Sequence, residues 1–256
     1  MFAEERQNII LAHINEKGCI EIKEIIDRFS VSKMTAWRDL KILEKSGLIK
    51  KVYGGAVRKF DNIRLEPKFE DKLNIAVKQK EEIAKYAAEN FIRDSDILFL
   101  EGGSTVMKMI PHLKQDNLTI LTNGLYTMLH ASKYIPRIRI IGCGGHIKEP
   151  GYTFIGPEAE NFFKNYRANK VFISGTGFTL EEGLMDPHIL EMGVKKVMCN
   201  ASDQIIVLVD STKIAKKSLT ITLPVDEIDV LITDSGVSPG FIRELKKLDI
   251  DVRVVN

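Results

Sequence analysis

Cysteine is scarce in this chain, and what there is cannot form a disulfide framework. Cys19, Cys143 and Cys199 are odd in number, far apart and without C-x-x-C spacing, so they read as reduced thiols of a cytosolic protein. The five histidines, His13, His112, His130, His146 and His188, lack metal-ligand spacing, and neither a metal nor another cofactor is expected. No apolar run approaches the roughly 18 to 20 residues needed to span a bilayer. Acidic residues stand in Met1-Phe2-Ala3-Glu4-Glu5-Arg6 where an export signal would be basic, so a cytoplasmic location without a membrane partner is expected. Two phosphate fingerprints are also missing: G-x-x-x-x-G-K-[ST], and G-x-G-x-x-G after a strand. Their absence argues against nucleoside triphosphates and dinucleotides. Charge of one sign is not in excess either, with a net +2 over 256 residues.

The distribution of that charge is more informative than its sum. Residues 32–59 hold eight Lys and Arg against two Asp and Glu. Within them, Ser32 to Lys45 reads as one helix, with Ser32 positioned to cap its first amides and Gly47 to end it. Ala36, Leu40 and Leu43 fall on one stripe, while Met34, Arg38, Lys41 and Lys45 lie opposite with Trp37 flanking them. The preceding stripe Ile22, Ile25, Ile26 and Phe29 turns through Ser30-Val31 into this helix, which is helix-turn-helix spacing. Leu48 to Tyr53 and Ala56 to Arg58 read as strands joined by Gly54-Gly55, forming a basic wing. A first helix, Glu4 to Glu16, offers Ile9, Ile10 and Ile14 inward and stops at Gly18.

Beyond this the periodicity lapses, and three segments are expected: residues 1–59 as a winged helix-turn-helix domain, 60–74 as a linker containing Pro67, and 75–256 as a larger domain. The last begins with a helix over 75–92 and then alternates strand and helix. Strands are expected at 97–100, 118–122, 137–141, 170–174, 205–209, 230–233 and 252–255. Such alternation predicts a mostly parallel sheet covered on both sides, and an α/β fold class for the chain. Ligands of such sheets sit beyond the carboxyl ends of the strands. Here those ends carry Glu101-Gly102-Gly103-Ser104-Thr105, Thr122-Asn123, Gly144-Gly145 and Asp210-Ser211-Thr212-Lys213. The first loop leads into a helix expected to reach about Leu113, and its amides and hydroxyls read as a phosphate or carboxylate cradle. Residues 179–191 could form a lid or a subunit contact, and the pattern leaves both open.

With these residues in place, the chain resembles the DeoR family of transcriptional regulators over nearly its whole length. Val31-Ser32-Lys33-Met34-Thr35-Ala36-Trp37-Arg38-Asp39-Leu40, then Leu43 and Gly47, then Gly54-Gly55-Ala56, match its first-domain pattern. The four loops just named, with Lys148, match those of its effector domain, whose fold is similar to sugar-phosphate isomerases. Trp37 stands where a first arginine is usual, Glu101 where Asp is, and Lys72 and Lys148 where Arg is common. The resemblance implies a repressor of a carbohydrate operon that acts as a dimer or tetramer. Double-stranded operator DNA would contact Ser32, Lys33, Met34, Thr35, Trp37, Arg38, Lys41, Lys50, Lys51, Tyr53, Gly54, Gly55 and Arg58. A phosphorylated sugar would contact Lys72, Glu101 to Thr105, Thr122, Asn123, Gly144, Gly145, Lys148, Asp210 and Lys213. The rival reading is an isomerase-like enzyme with a DNA-binding appendage, for which Glu101 and Asp186 are the candidate general bases.

Overall fold

The computed structural model describes residues 3–17, 19–45, 49–52, 54–58 and 68–256; the side chains of residues 4, 15–17, 19, 50, 52, 57 and 58 lie outside that description. Gly18, Gly47, Tyr53 and Pro67 therefore fall outside the described residues, as do the side chains of Lys50 and Arg58. The chain divides into two compact units, Met1–Asn62 and Ile63–Asn256.

The first unit runs α1 (Ala3–Lys17), β1 (Cys19–Glu21), α2 (Ile22–Phe29), α3 (Lys33–Lys45), β2 (Ile49–Val52) and β3 (Gly55–Arg58). Ile10, Ile14, Ile25, Ala36, Leu40 and Leu43 meet in its core, as the 3.6-residue spacing predicts. Ser30, with φ of 50°, makes the corner between α2 and α3. The wing has a strand that periodicity did not reveal, since β1 pairs antiparallel with β3 in the order β1-β3-β2. Three residues are too few to show a two-residue alternation.

The second unit runs α4 (Phe69–Asn74), α5 (Val77–Phe91), β4 (Ile97–Leu100), α6 (Ser104–Met107), β5 (Leu118–Thr122), α7 (Leu125–Ala131), β6 (Ile138–Gly142), β7 (His146–Lys148) and β8 (Thr153–Ile155). It continues with α8 (Pro157–Lys164), β9 (Ala168–Ile173), β10 (Gly177–Thr179), β11 (Gly183–Asp186), α9 (Ile189–Asn200), β12 (Ser202–Leu208), β13 (Thr220–Leu223), β14 (Val230–Asp234), α10 (Pro239–Leu245) and β15 (Asp251–Val255). The seven expected strands form one parallel sheet in the order β15-β14-β12-β9-β4-β5-β6. A separate apolar core lies on each face, one around Phe99 and Phe163 and the other around Ile83 and Leu98. The chain is thus a winged helix-turn-helix unit followed by a larger α/β unit.

Three expectations need correction. The helix over 75–92 is broken at Ala76, where φ is 50°, and the turn before it, assigned to the linker, is α4. Phe69 anchors α4 by stacking on Tyr126, with ring centroids 4.6 Å apart. The helix expected to reach Leu113 is the single turn α6 followed by a 3-10 turn at Ile110–His112. Residues 177–186 form β10 and β11, which pair antiparallel and join β13 in a small second sheet.

Candidate DNA interface and effector site

The N-terminal interface begins with the cap of α3. The Thr35 amide donates to Ser32 Oγ at 3.2 Å, and the two hydroxyls are 2.9 Å apart, so Ser32 and Thr35 order the first turn. Opposite the buried stripe, Lys33, Met34, Arg38 and Lys41 are exposed, Met34 by 73%. Trp37 is half-buried against the first unit's core. Asp39, next to Arg38, points the other way. Buried, it accepts from Arg6 Nε at 2.7 Å and Gln7 Nε2 at 2.8 Å, which fixes the rotation of α3 against α1.

The wing is tied to the same helix. The Lys51 amide donates to Glu44 Oε1 at 2.9 Å and its ammonium reaches Glu44 Oε2 at 3.0 Å, so Lys51 already holds a carboxylate. Hydrogen bonds from Lys51 hold the Glu44 carboxyl below its ordinary range. The two wing glycines do different jobs. Gly54 has φ of +88° and open space around it, whereas a Cβ on Gly55 would stand 2.1 Å from the Ile20 carbonyl oxygen of β1.

In the second unit the expected glycine loop sits at the carboxyl end of β4, and its glycines are needed for close approach. A Cβ on Gly102 would meet Thr153 Cγ2 at 2.5 Å and Gly124 Cα at 2.8 Å, and one on Gly103 would meet Glu101 Oε2 at 2.6 Å. Asn123 clips this arrangement: Oδ1 accepts from the Gly102 amide at 3.0 Å and Nδ2 donates to the Phe154 carbonyl at 3.3 Å. Thr122 Oγ1 accepts from the Gly124 amide at 3.0 Å. Thr122 and Asn123 are fully buried and committed to the loop. Three buried hydroxyls nearby, on Thr105, Thr127 and Thr153, have no partner among the described residues.

A charged cluster adjoins the loop. Lys195 of α9, 1% exposed, donates to Asp186 Oδ2 at 2.9 Å and the Ser174 carbonyl at 2.7 Å, and stands 3.5 Å from Glu101 and 3.9 Å from Glu191. Lys148 bonds Glu191 at 2.7 Å. Thr222 donates to Asp186 at 2.8 Å, and Lys213 donates to Ser174 Oγ at 2.9 Å. Burial pushes Glu101 and Asp186 up, against the pull of Lys195. Burial opposes ionisation of Glu191 too, but Lys195 and Lys148 overcome it and hold that carboxyl down at about 2. Burial likewise opposes the Lys195 ammonium, yet its carboxylate neighbours raise it above the ordinary lysine value. Lys213 is lowered by burial, with Asp210 opposing. Glu191, between two ammonium groups, keeps its charge, whereas burial raises Glu101 although it stands 3.5 Å from Lys195 and accepts from the Ser174 amide.

Of the predicted effector residues, Glu101, Gly102, Gly103, Lys148, Asp210 and Lys213 belong to this connected assembly, and Lys72 acts on it electrostatically. Gly144 and Gly145 lie further along the loop after β6 with φ of +66° and +104°, Gly145 against Glu158. Ser104 and Thr105 are buried in α6, whose single turn is too short to carry the helix dipole expected there. Ser174, Glu191, Lys195 and Thr222 escaped the sequence reading, and Asp186 entered it only as a rival base. Glu191 and Lys195 are four apart on α9, an inward ion pair that looks like any surface pair until the sheet is in place. An open cleft of about 400 Å³, bordered by Lys78, Glu82, Asp234 and Asn256, includes none of the glycine loops.

A capped helix with a basic outer face, backed by a wing, and a separate α/β unit with a polar edge together define a DNA-binding transcriptional regulator. Residues 6–60 match the DeoR-like helix-turn-helix domain and residues 75–235 the DeoR C terminal sensor domain. The chain is 33% identical over 260 residues to the HTH-type transcriptional regulator GolR of Listeria innocua, covering 99% of each. It is 31% identical over 255 residues to the HTH-type transcriptional regulator IolR of Bacillus subtilis, covering 99% of this chain and 98% of that one. It is 29% identical over 254 residues to the lactose phosphotransferase system repressor of Staphylococcus epidermidis, covering 98% of each. The chain belongs to the DeoR family. These relatives are named as regulators and residues 75–235 match a sensor domain, so the enzyme reading is set aside. No helix among the described residues is long and apolar enough to cross a membrane.

Proposed function

We propose that this protein represses a carbohydrate operon from the cytoplasm as a homo-oligomer on repeated half-sites, and that a phosphorylated sugar in the second unit adjusts its hold on DNA. The observation that carries the effector half is the concentration of lysines, unpartnered hydroxyls and tightly packed glycines at one edge of the parallel sheet. In this reading the phosphate lies among Lys72, Lys213 and the Gly103-Ser104-Thr105 turn, and the sugar faces the Glu101, Lys148 and Glu191 side. On the DNA side, α3 enters a major groove with Arg38, Met34, Trp37 and Lys41 toward base edges, while Lys33 and the wing hold phosphates. The name of the lactose phosphotransferase system repressor favours a sugar theme without specifying this chain's ligand.

The test is thermal stability of the full chain against a panel of sugar phosphates and the matching free sugars. A ligand at a hundred times its dissociation constant adds about 2.7 kcal/mol of stability, a readily visible shift in melting temperature. Stabilisation by a phosphorylated sugar but not its free sugar is expected. A panel on which nothing stabilises the protein overturns the effector assignment.

A further inference from the structure

The small second sheet has one edge that the chain covers and one that it leaves open. On the β10 side, Ile214 bridges to Phe178 and the Ala215 amide donates to the Phe178 carbonyl at 2.8 Å. On the other side β13 is the last strand in the order β10-β11-β13, and nothing among the described residues pairs with its outer edge. An open edge presents unpaired amides and carbonyls, and proteins commonly shield it with charged side chains. The edge strand β15 of the large sheet has such a shield in Asp251 and Arg253, both exposed. Thr220-Ile221-Thr222-Leu223 of β13 carries no charge.

The side chains around this edge are apolar. Thr220 and Thr222 are used within the unit, donating to the Asp186 carbonyl and carboxylate at 2.8 Å each. Leu219 and Ile221 turn the other way and are 56% and 41% exposed. Ile189 and Leu190, at the start of α9, which packs on β13, are exposed by 61% and 45%. An apolar patch beside an open edge marks an association surface. The flanking charges say what it associates with. The segment from Lys216 to Glu227 opens with Lys216-Lys217, is uncharged through its middle, and closes with Asp226-Glu227, and all four charged residues are exposed. Lys217 reaches Glu182 of its own chain at 3.3 Å and still has 61% of its side chain in solvent. A strand with opposite charges at its two ends is complementary to itself when turned round. Antiparallel self-pairing about a twofold axis at Ile221 brings the lysine end of each copy to the acidic end of the other.

We propose that β13 is the edge through which two copies of this chain associate. The strands pair antiparallel across a twofold axis and join the two three-stranded sheets into one, with Leu219, Ile221, Ile189 and Leu190 covered at the seam. Lys216 and Lys217 of each copy lie against Asp226 and Glu227 of the other, which fixes the antiparallel direction and makes the chain its own partner. This rests on the homo-oligomer reading above and assigns the surface that reading leaves open.

Sedimentation velocity of the full chain over a concentration series tests this with two charge-reversed variants. One carries Asp226→Lys with Glu227→Lys, the other Lys216→Glu with Lys217→Glu. Each sets like charges against each other across the axis, so each should self-associate about tenfold or more weakly than wild type and halve in mass where wild type is assembled, with an unchanged circular dichroism spectrum. Mixed in equal amounts, the two variants should regain the wild-type mass, because every contact then joins opposite charges. Wild type that sediments as a single chain overturns the homo-oligomer reading and the inference with it. Variants that assemble as firmly as wild type overturn the inference alone and leave assembly to another surface. Variants that dissociate and do not reassemble on mixing also overturn it, since the self-complementary pairing is then wrong. If the charge reversals disturb the spectrum, Ile221→Lys at the axis, an exposed position, reads the same dissociation, and an undiminished mass there overturns the inference.

Discussion

Lys195 concentrates the electrostatics of the second unit, being buried with one carboxylate at 2.9 Å and two more within 4 Å. Removing it strands Asp186 in a site that already disfavours its charge. Lys195→Met should therefore cost about 3–5 kcal/mol of unfolding free energy in urea titration. Lys148→Met tests the same cluster through pH. Because the folded-state pKa of Glu191 is depressed to about 2, its contribution is complete above its ordinary 4.5 and is lost as pH falls through about 2. Without Lys148 that pKa rises, so the acid-unfolding transition followed by circular dichroism should move to higher pH. An unmoved transition would mean that Lys195 alone keeps Glu191 ionised. Glu101 and Lys213 were singled out because they sit in turns with glycine, serine and threonine after strands, and Lys148, in β7, through the family resemblance. Lys195 was not, because Lys195 and Lys196 are chemically alike and only the packing of α9 decides which is buried.

At the scale of elements, the wing contrasts two glycines with different physics. Gly55→Ala drives a methyl into the β1 backbone, whereas Gly54→Asn meets open space in a conformation asparagine tolerates. Gly55→Ala should lower the melting temperature of the full chain well beyond Gly54→Asn in calorimetry. Equal effects would deny β1 its place in the wing sheet. The recognition helix makes a second contrast. Arg38→Ala should cost about 1–3 kcal/mol in operator binding and relax sequence preference. Glu44→Gln should instead release Lys51 to phosphates and steepen the salt dependence of binding by up to about one unit of log slope, with sequence preference unchanged. Quantitative band-shift titration over a salt series separates the two. The helix and its cap could be read from spacing, but the Glu44 clamp could not, since residues 44 and 51 come together only when β2 folds back on α3.

For the whole molecule, two functions on one chain imply reciprocity. If a sugar phosphate weakens operator binding by some factor, saturating operator must weaken sugar-phosphate binding by the same factor. Fluorescence anisotropy with labelled operator, run in both directions, checks this. Unequal factors would mean that more than one assembly state is being titrated. A hundredfold effect needs about 2.7 kcal/mol of difference between the two states, within the usual range of coupling energies.

The amino-acid sequence by itself determined the alternation of helix and strand in the second unit, the seven strands of its parallel sheet and the helix-turn-helix of the first unit. Each of these is written in contacts a few residues apart: apolar period, cap, glycine turn and cluster of like charge. Tertiary structure alone decided which charges meet. It broke the helix at Ala76, recruited α4 from the expected linker, and placed Asp186, Glu191 and Lys195 beside Glu101. The physical reason is that the energy of a buried charge depends on neighbours from distant segments, and those neighbours exist only once the sheet has ordered its strands.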